Sequence, residues 1–203
     1  KYLQKNNEYF QTSVCVTAQH REMLDQVLEL FEIEPQYDLN IMKPNQDLFD
    51  ISANIITSLR PILKELCPDL ILVHGDTTTT FSASLAAFYA GIPVGHVEAG
   101  LRTGNKLAPF PEEMNRRLTG AIADIHFAPT NASKENLIKE GVSVNNIYVT
   151  GNTVIDALLS VVEKIRNNKL IGDKFSQEFD FLDKNKKLIL VTGHRRENFG
   201  SGF

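Results

Sequence analysis

The stretch from Leu70 to Arg117 limits this chain more than any other. The apolar run Leu70-Ile71-Leu72-Val73 has the length and composition of a strand buried on both faces, and it gives way abruptly to His74-Gly75-Asp76 and four threonines. The spacing of Phe81, Leu85, Ala86 and Tyr89 predicts one face of a helix entered through those threonines, which are good N-caps, with Gly91 closing its far end. Pro93 to Val97 reads as the next strand. Strand, helix and strand at this spacing make a βαβ unit, so the two strands are parallel and end at one edge of the sheet. Asp76 and Glu98 then arrive at the same edge, outside the carboxyl ends of the strands, where open α/β sheets bind their ligands.

The flanking segments repeat this alternation. A strand over Thr12 to Val16 leads through Thr17-Ala18-Gln19-His20-Arg21 into a helix with Met23, Leu24, Val27, Leu28 and Phe31 on one face. Tyr37 to Ile41 reads as a short strand. Leu48, Ile51, Ile55, Leu59 and Leu63 then mark a helix that Pro61 is expected to kink or break in two. Downstream, Met114 to Ala123 reads as a helix burying Leu118 and Ile122, Asp124 to Ala128 as a strand, and Lys134 to Glu140 as a helix capped by Thr130 or Ser133. Ile147 to Val149 is a further strand, and a helix starting at Gly151-Asn152-Thr153 places Val154, Leu158, Val161 and Ile165 on one face. The polar stretch from Asn167 to Lys187 reads as a linker, after which Leu188 to Val191 repeats the buried-strand signature. The fold class is α/β, a Rossmann-like parallel sheet with flanking helices. Both ends of the chain read as cut, so a fragment is expected.

Composition narrows the function classes. A net charge of −4 with interspersed signs argues against a basic nucleic-acid surface. Cys15 and Cys67 have no partner spacing and read as reduced, space-filling thiols. No apolar run approaches membrane-spanning length and no signal-peptide pattern is present, which makes a cytoplasmic protein the default expectation.

Asp76, Glu98 and Glu112 come from successive loops at one expected edge, with Arg116 and Arg117 a helical turn further on. Carboxylates clustered in a crevice push one another's pKa values apart, so that one can act as a base while another stays protonated. Each acid also has an ordinary explanation: Asp76 as a helix N-cap, Glu98 as a turn carboxylate paired with Arg102, and Glu112 as a dipole-compensating first-turn acid. Metal binding competes, since His74 and His96 are nearby ligand types, although His96 and His126 read as core histidines. The threonine run suits an anion at a helix N-terminus. His194-Arg195-Arg196 after the last apolar run suits phosphate recognition, because guanidinium groups bind phosphate oxygens two at a time.

VHGDTTTT, PVGHVEAGLRTG, PFPEEMNRRLTG, VTGNTVIDAL and VTGHRREN, together with TAQHREMLDQVL near the start, closely resemble the non-hydrolysing UDP-N-acetylglucosamine 2-epimerases. The resemblance covers nearly the whole chain, with several long motifs in the right order. It implies two Rossmann-like domains facing a cleft, as in GT-B glycosyltransferases: residues 1–152 would belong to the first, without its first strand, and 153–203 to a truncated second. It implies interconversion of UDP-N-acetylglucosamine and UDP-N-acetylmannosamine through 2-acetamidoglucal, supplying amino sugar for surface polysaccharides, with no cofactor, no metal, no nucleic acid and no membrane, in an enzyme that is a homodimer at full length. The family's catalytic positions fall on Asp76, Glu98, Glu112 and His194, and substrate contacts on Arg116, Asp76 and His194. A regulatory UDP-N-acetylglucosamine site, present in some members, would touch Gln19, Glu112 and Arg195, and Glu22 stands where some members have glutamine.

Overall fold

The computed structural model describes residues 1–18, 21–183 and 185–191. They fall into two compact units, Lys1–Val149 and Thr150 onward.

The first unit begins with a short helix α1 (Tyr2–Lys5), then strand β1 (Cys15–Val16), helix α2 (Arg21–Phe31) and strand β2 (Tyr37–Asp38), with β1 and β2 paired in parallel. Helix α3 (Leu48–Leu66) starts at a capping box in which Asp47 accepts from the Phe49 and Asp50 amides while Asp50 answers to the Asp47 amide. It runs unbroken through Pro61, against the expected break. Pro61 is exposed, while Ile51, Ile55, Leu59 and Leu63 bury the opposite face, so the packing of that face outweighs one missing backbone hydrogen bond.

Strands β3 (Ile71–His74), β4 (Val94–Val97), β5 (Ile125–Ala128) and β6 (Ile147–Val149) form one parallel sheet in sequential order, with Val73 opposite His96 and His96 opposite His126. Helices α4 (Thr78–Tyr89), α5 (Glu112–Ile122) and α6 (Asn131–Lys139) are the crossovers. This is the Rossmann-like α/β fold that the alternation predicts. Thr77 caps α4 and Thr130 caps α6 through hydroxyls that accept the amides of Thr80 and Ser133. Three apolar clusters make the core: Ile41, Ile51, Ile55, Leu59, Leu63 and Ala86 under α3 and α4; Val73, Ala87 and Val94 under α4; and Ala99, Ala128, Leu137 and Ile147 under α6.

Four expectations need correction here. The apolar run at β3 is not buried on both faces: Val73 is buried, but Leu72, on the other face with Tyr148, keeps substantial exposure. Alternation puts Val73, His96 and His126 on the helix-covered side and Leu72, Phe127 and Tyr148 on the other. Helix α5 buries Glu113, Asn115, Arg116, Thr119 and Gly120 and leaves Leu118 exposed, while Ile122, at the end of the helix, is half-buried against the Val73, Ala87 and Val94 cluster. On α2, Leu24, Leu28 and Phe31 are half-buried, but Met23 and Val27 are exposed. The cysteines are free thiols on exposed residues and do not fill the core. Burial around the Cys15 sulfur, helped by the Asp38 charge, still pushes its pKa up to about 11.

The second unit holds α7 (Thr153–Asn167), capped by Asn152, and α8 (Lys169–Glu178), capped by Asn168. The expected linker therefore carries a helix of its own. Residues 188–191 are not a strand and lie exposed, contrary to the apolar signature. A parallel strand exists only where a neighbour completes its hydrogen bonds, and no described residue of this unit supplies one. No described helix is long and apolar enough to cross a membrane.

Candidate active site

The carboxyl ends of β3 and β4 deliver the polar groups. Gly75, at φ +74°, turns the chain out of β3, and its amide donates to the Val97 carbonyl at 3.0 Å. The turn after β4 holds Glu98 in the left-handed region at φ +67°, unusual for a residue with a side chain. Its carboxylate reaches back to the Gly75 turn, where a Cβ on that glycine would lie 3.5 Å from Glu98 Oε2. Asp76 is thus not the cap of α4, a place taken by Thr77, and its carboxylate is free to face the α5 side.

Arg116 Nη2 lies 2.8 Å from Asp76 Oδ2, while Arg116 Nε donates to the Glu112 carbonyl at 3.3 Å and lies 3.7 Å from Glu113 Oε2. Burial raises the Asp76 pKa; the Arg116 charge opposes this, and the Glu112 and Glu98 charges reinforce it. The structure therefore brings Asp76, Glu98, Glu112 and Arg116 into one electrostatic neighbourhood, as their order along the sheet edge predicts. Gln19, His194 and Arg195 lie outside the described residues.

The supporting residues are less visible in the sequence. Glu113 is completely buried and accepts from the amides of Thr103 at 3.0 Å and Gly104 at 3.2 Å. Its only sequence signal is the three-residue spacing to Arg116. Arg102 grips Glu140 in two-point fashion, with Nε to Oε1 at 2.9 Å and Nη2 to Oε2 at 2.7 Å, a partner remote in sequence. The threonines are largely spent within the fold. The Thr80 hydroxyl donates to the His74 carbonyl at 2.6 Å, and Thr79 meets Thr17 at 3.3 Å.

His96 is fully buried, with Nε2 2.7 Å from the Gly75 carbonyl, and burial lowers its pKa to about 4. The neutral ring therefore donates from Nε2 and ties the strand to the turn that presents Asp76. His126 is also buried and held neutral, its pKa lowered by burial. Among the described residues no three His, Cys, Asp or Glu side chains converge to hold a metal ion.

A sequential parallel sheet whose strand ends gather carboxylates beside an Asp76–Arg116 ion pair defines a Rossmann-like protein with its polar site at the ligand edge. That architecture is shared with solved structures of one enzyme family. The chain belongs to the UDP-N-acetylglucosamine 2-epimerase family, whose sequence profile matches residues 2–202. It is 61% identical over 197 residues to the UDP-N-acetylglucosamine 2-epimerase of Yersinia pestis, an alignment covering 97% of this chain and 52% of the relative. The crystal structure of the Neisseria meningitidis UDP-GlcNAc 2-epimerase bound to UDP-GlcNAc superposes with a TM-score of 0.93 at 59% identity, over 99% of this chain and 54% of that one. The Methanocaldococcus jannaschii enzyme in complex with UDP-GlcNAc and UDP matches at 34% identity with a TM-score of 0.78, over 86% of this chain and 48% of that one. The chain spans about half the length of the relatives it matches.

Proposed function

We propose that this chain carries the acidic half of a UDP-N-acetylglucosamine 2-epimerase site, interconverting UDP-N-acetylglucosamine and UDP-N-acetylmannosamine when the rest of the site is supplied. The observation that supports this is the grouping at the sheet edge of Asp76, paired with Arg116, and the Glu98 and Glu112 charges that act on it. Inversion at C2 of a sugar requires breaking a C–H bond that is barely acidic. Expelling UDP from C1 as the C2 proton leaves solves this: the C–H electrons form the C1–C2 double bond and the C1–O electrons depart with UDP. In the return step a UDP oxygen re-forms the bond to C1, and a proton arrives at C2 from the opposite face. Two protonic groups flanking C2 are then needed, and carboxylates of unequal environment meet that need. Burial and the Glu112 and Glu98 charges raise the Asp76 pKa while the Arg116 charge opposes them, so the environments of the three acids differ. Arg116 keeps Asp76 in place. His194 would stabilise departing UDP, and Gln19, Glu112 and Arg195 would meet a regulatory UDP-N-acetylglucosamine. The whole assembly would be a cytoplasmic homodimer, with residues 1–152 and 153–203 contributing to two facing domains, and its product would feed surface polysaccharides.

Incubating the chain with UDP-N-acetylglucosamine in deuterated water, alone and with the complementary half of a family member supplied in trans, tests this by NMR detection of exchange at C2. Exchange is expected with the complement and little or none without it, and Glu98→Gln should abolish it. Free N-acetylmannosamine as the product would instead mark a hydrolysing relative, and sugar transfer to an acceptor a glycosyltransferase. The alternative, a nucleotide-sugar-binding protein without chemistry of its own, is what binding without exchange in the completed assembly would establish.

A further inference from the structure

Glu113 is a carboxylate without any exposed surface, three residues from the site arginine, and it has no part in the proton transfers above. Burying an ionised carboxylate is costly unless its oxygens are satisfied. Here both are: Oε2 accepts the Thr103 amide and Oε1 the Gly104 amide, and the Arg116 guanidinium supplies the opposite charge at 3.7 Å. The turn it holds is itself anchored, since the Thr103 hydroxyl donates to the Ala108 carbonyl at 2.6 Å and the Glu113 amide to the Pro109 carbonyl at 3.1 Å. The same arginine then points Nη2 at Asp76, 2.8 Å away.

We propose that Glu113 is the positioning residue of this site, fixing the Arg116 guanidinium against Asp76 and locking the Thr103–Gly104 turn to helix α5. Arg116 is a long side chain with considerable rotamer freedom, and an arginine facing only the half-exposed Asp76 would sample several orientations. The buried anion 3.7 Å from its Nε, beside the Glu112 carbonyl that accepts the Nε–H, narrows that freedom. Glu98 and Glu112 also act on Asp76, so the arginine must stay in place for Asp76 to keep its counter-charge among three acids. The catalytic meaning of this role rests on the epimerase reading, but the placement of Arg116 does not.

The test uses the 203-residue chain and needs no substrate for its first part. In the unaltered protein the Arg116 Nε–H should exchange with solvent far more slowly than in an exposed arginine, and its fast exchange would overturn the proposal whatever any variant does. Glu113→Gln keeps the side chain's size and removes its charge. It should speed that exchange and move the Asp76 carboxyl titration, followed by carbon NMR, to higher pH, because Asp76 loses its fixed counter-charge. An unmoved or lowered Asp76 midpoint in the folded variant overturns the proposal. In the completed assembly, Glu113→Gln should slow C2 exchange by about a hundredfold. If the unaltered assembly shows no C2 exchange, the epimerase reading fails and the substrate-free result stands. If exchange occurs and Glu113→Gln leaves it intact, the positioning role fails.

Discussion

Replacing Gly100 by alanine should destabilise the first unit by two separable amounts. Gly100 closes the turn that begins at Glu98 and has φ +87°, a conformation that costs a residue with a Cβ about 1–2 kcal/mol. A Cβ there would also stand 2.8 Å from the Ser133 carbonyl carbon, closer still to its oxygen, and 3.0 Å from Leu137 Cγ. These are atoms of helix α6, which cannot swing aside as the tip of a lysine could. Relief requires α6 to shift on the sheet, an overpacking cost of about 1–3 kcal/mol. The sum is about 2–5 kcal/mol, large against the about 5–15 kcal/mol total stability of ordinary domains. Gly104 is the control. Its φ is +78°, but nothing lies within 4 Å of an added Cβ, so Gly104→Ala should show the backbone cost alone. Any stabilisation gained by stiffening the unfolded chain is common to both and cancels in the comparison. Urea unfolding followed by far-ultraviolet circular dichroism gives the two losses. Equal losses would show that α6 is not held against the Glu98 turn and that the steric reasoning is wrong.

The remaining predictions concern charges. His96 has its pKa lowered from the ordinary 6.5 to about 4 by burial, so the unfolded chain binds the proton more tightly than the folded one. Its contribution is fully present above pH 6.5 and is lost as pH falls toward 4, by about 3 kcal/mol in total; His126, shifted the same way, deepens the loss. Urea midpoints measured across that window should fall with acid, and fall less in His96→Gln, whereas parallel curves for the two proteins would contradict the assignment. Arg102→Lys should cost about 2 kcal/mol, because one ammonium cannot reproduce the two-point grip on Glu140. Thermal unfolding of Arg102→Lys beside Glu140→Gln checks this, and an unchanged melting temperature for the lysine variant would show the grip to be replaceable.

The βαβ arrangement was legible in the chain because it is written in local periodicity: an apolar run, threonines at a helix entrance, a left-handed glycine at its exit, a second apolar run. Chain direction then required Asp76 and Glu98 to share an edge, since parallel strands with helical crossovers end together. Local pattern could not show what each face would meet. Helix α5 reads as burying Leu118, yet it buries Glu113, Asn115, Arg116 and Thr119, because partners from other elements satisfy the two ions among them. Pro61 stays inside α3 because four buried side chains hold the helix on its other face. The run at 188–191 has a strand's composition and no strand, since pairing belongs to two segments and not to one. The sequence by itself determined which residues reach the site edge. Tertiary structure decided how they stand there: Asp76 beside Arg116, Arg116 backed by Glu113, Arg102 turned to Glu140. Glu113 and Arg116 are three apart on one helix, and only the burial of that face is tertiary. The Asp76–Arg116 and Arg102–Glu140 contacts, by contrast, join elements whose approach is set by the packing of the whole sheet and its helices, which no local spacing encodes.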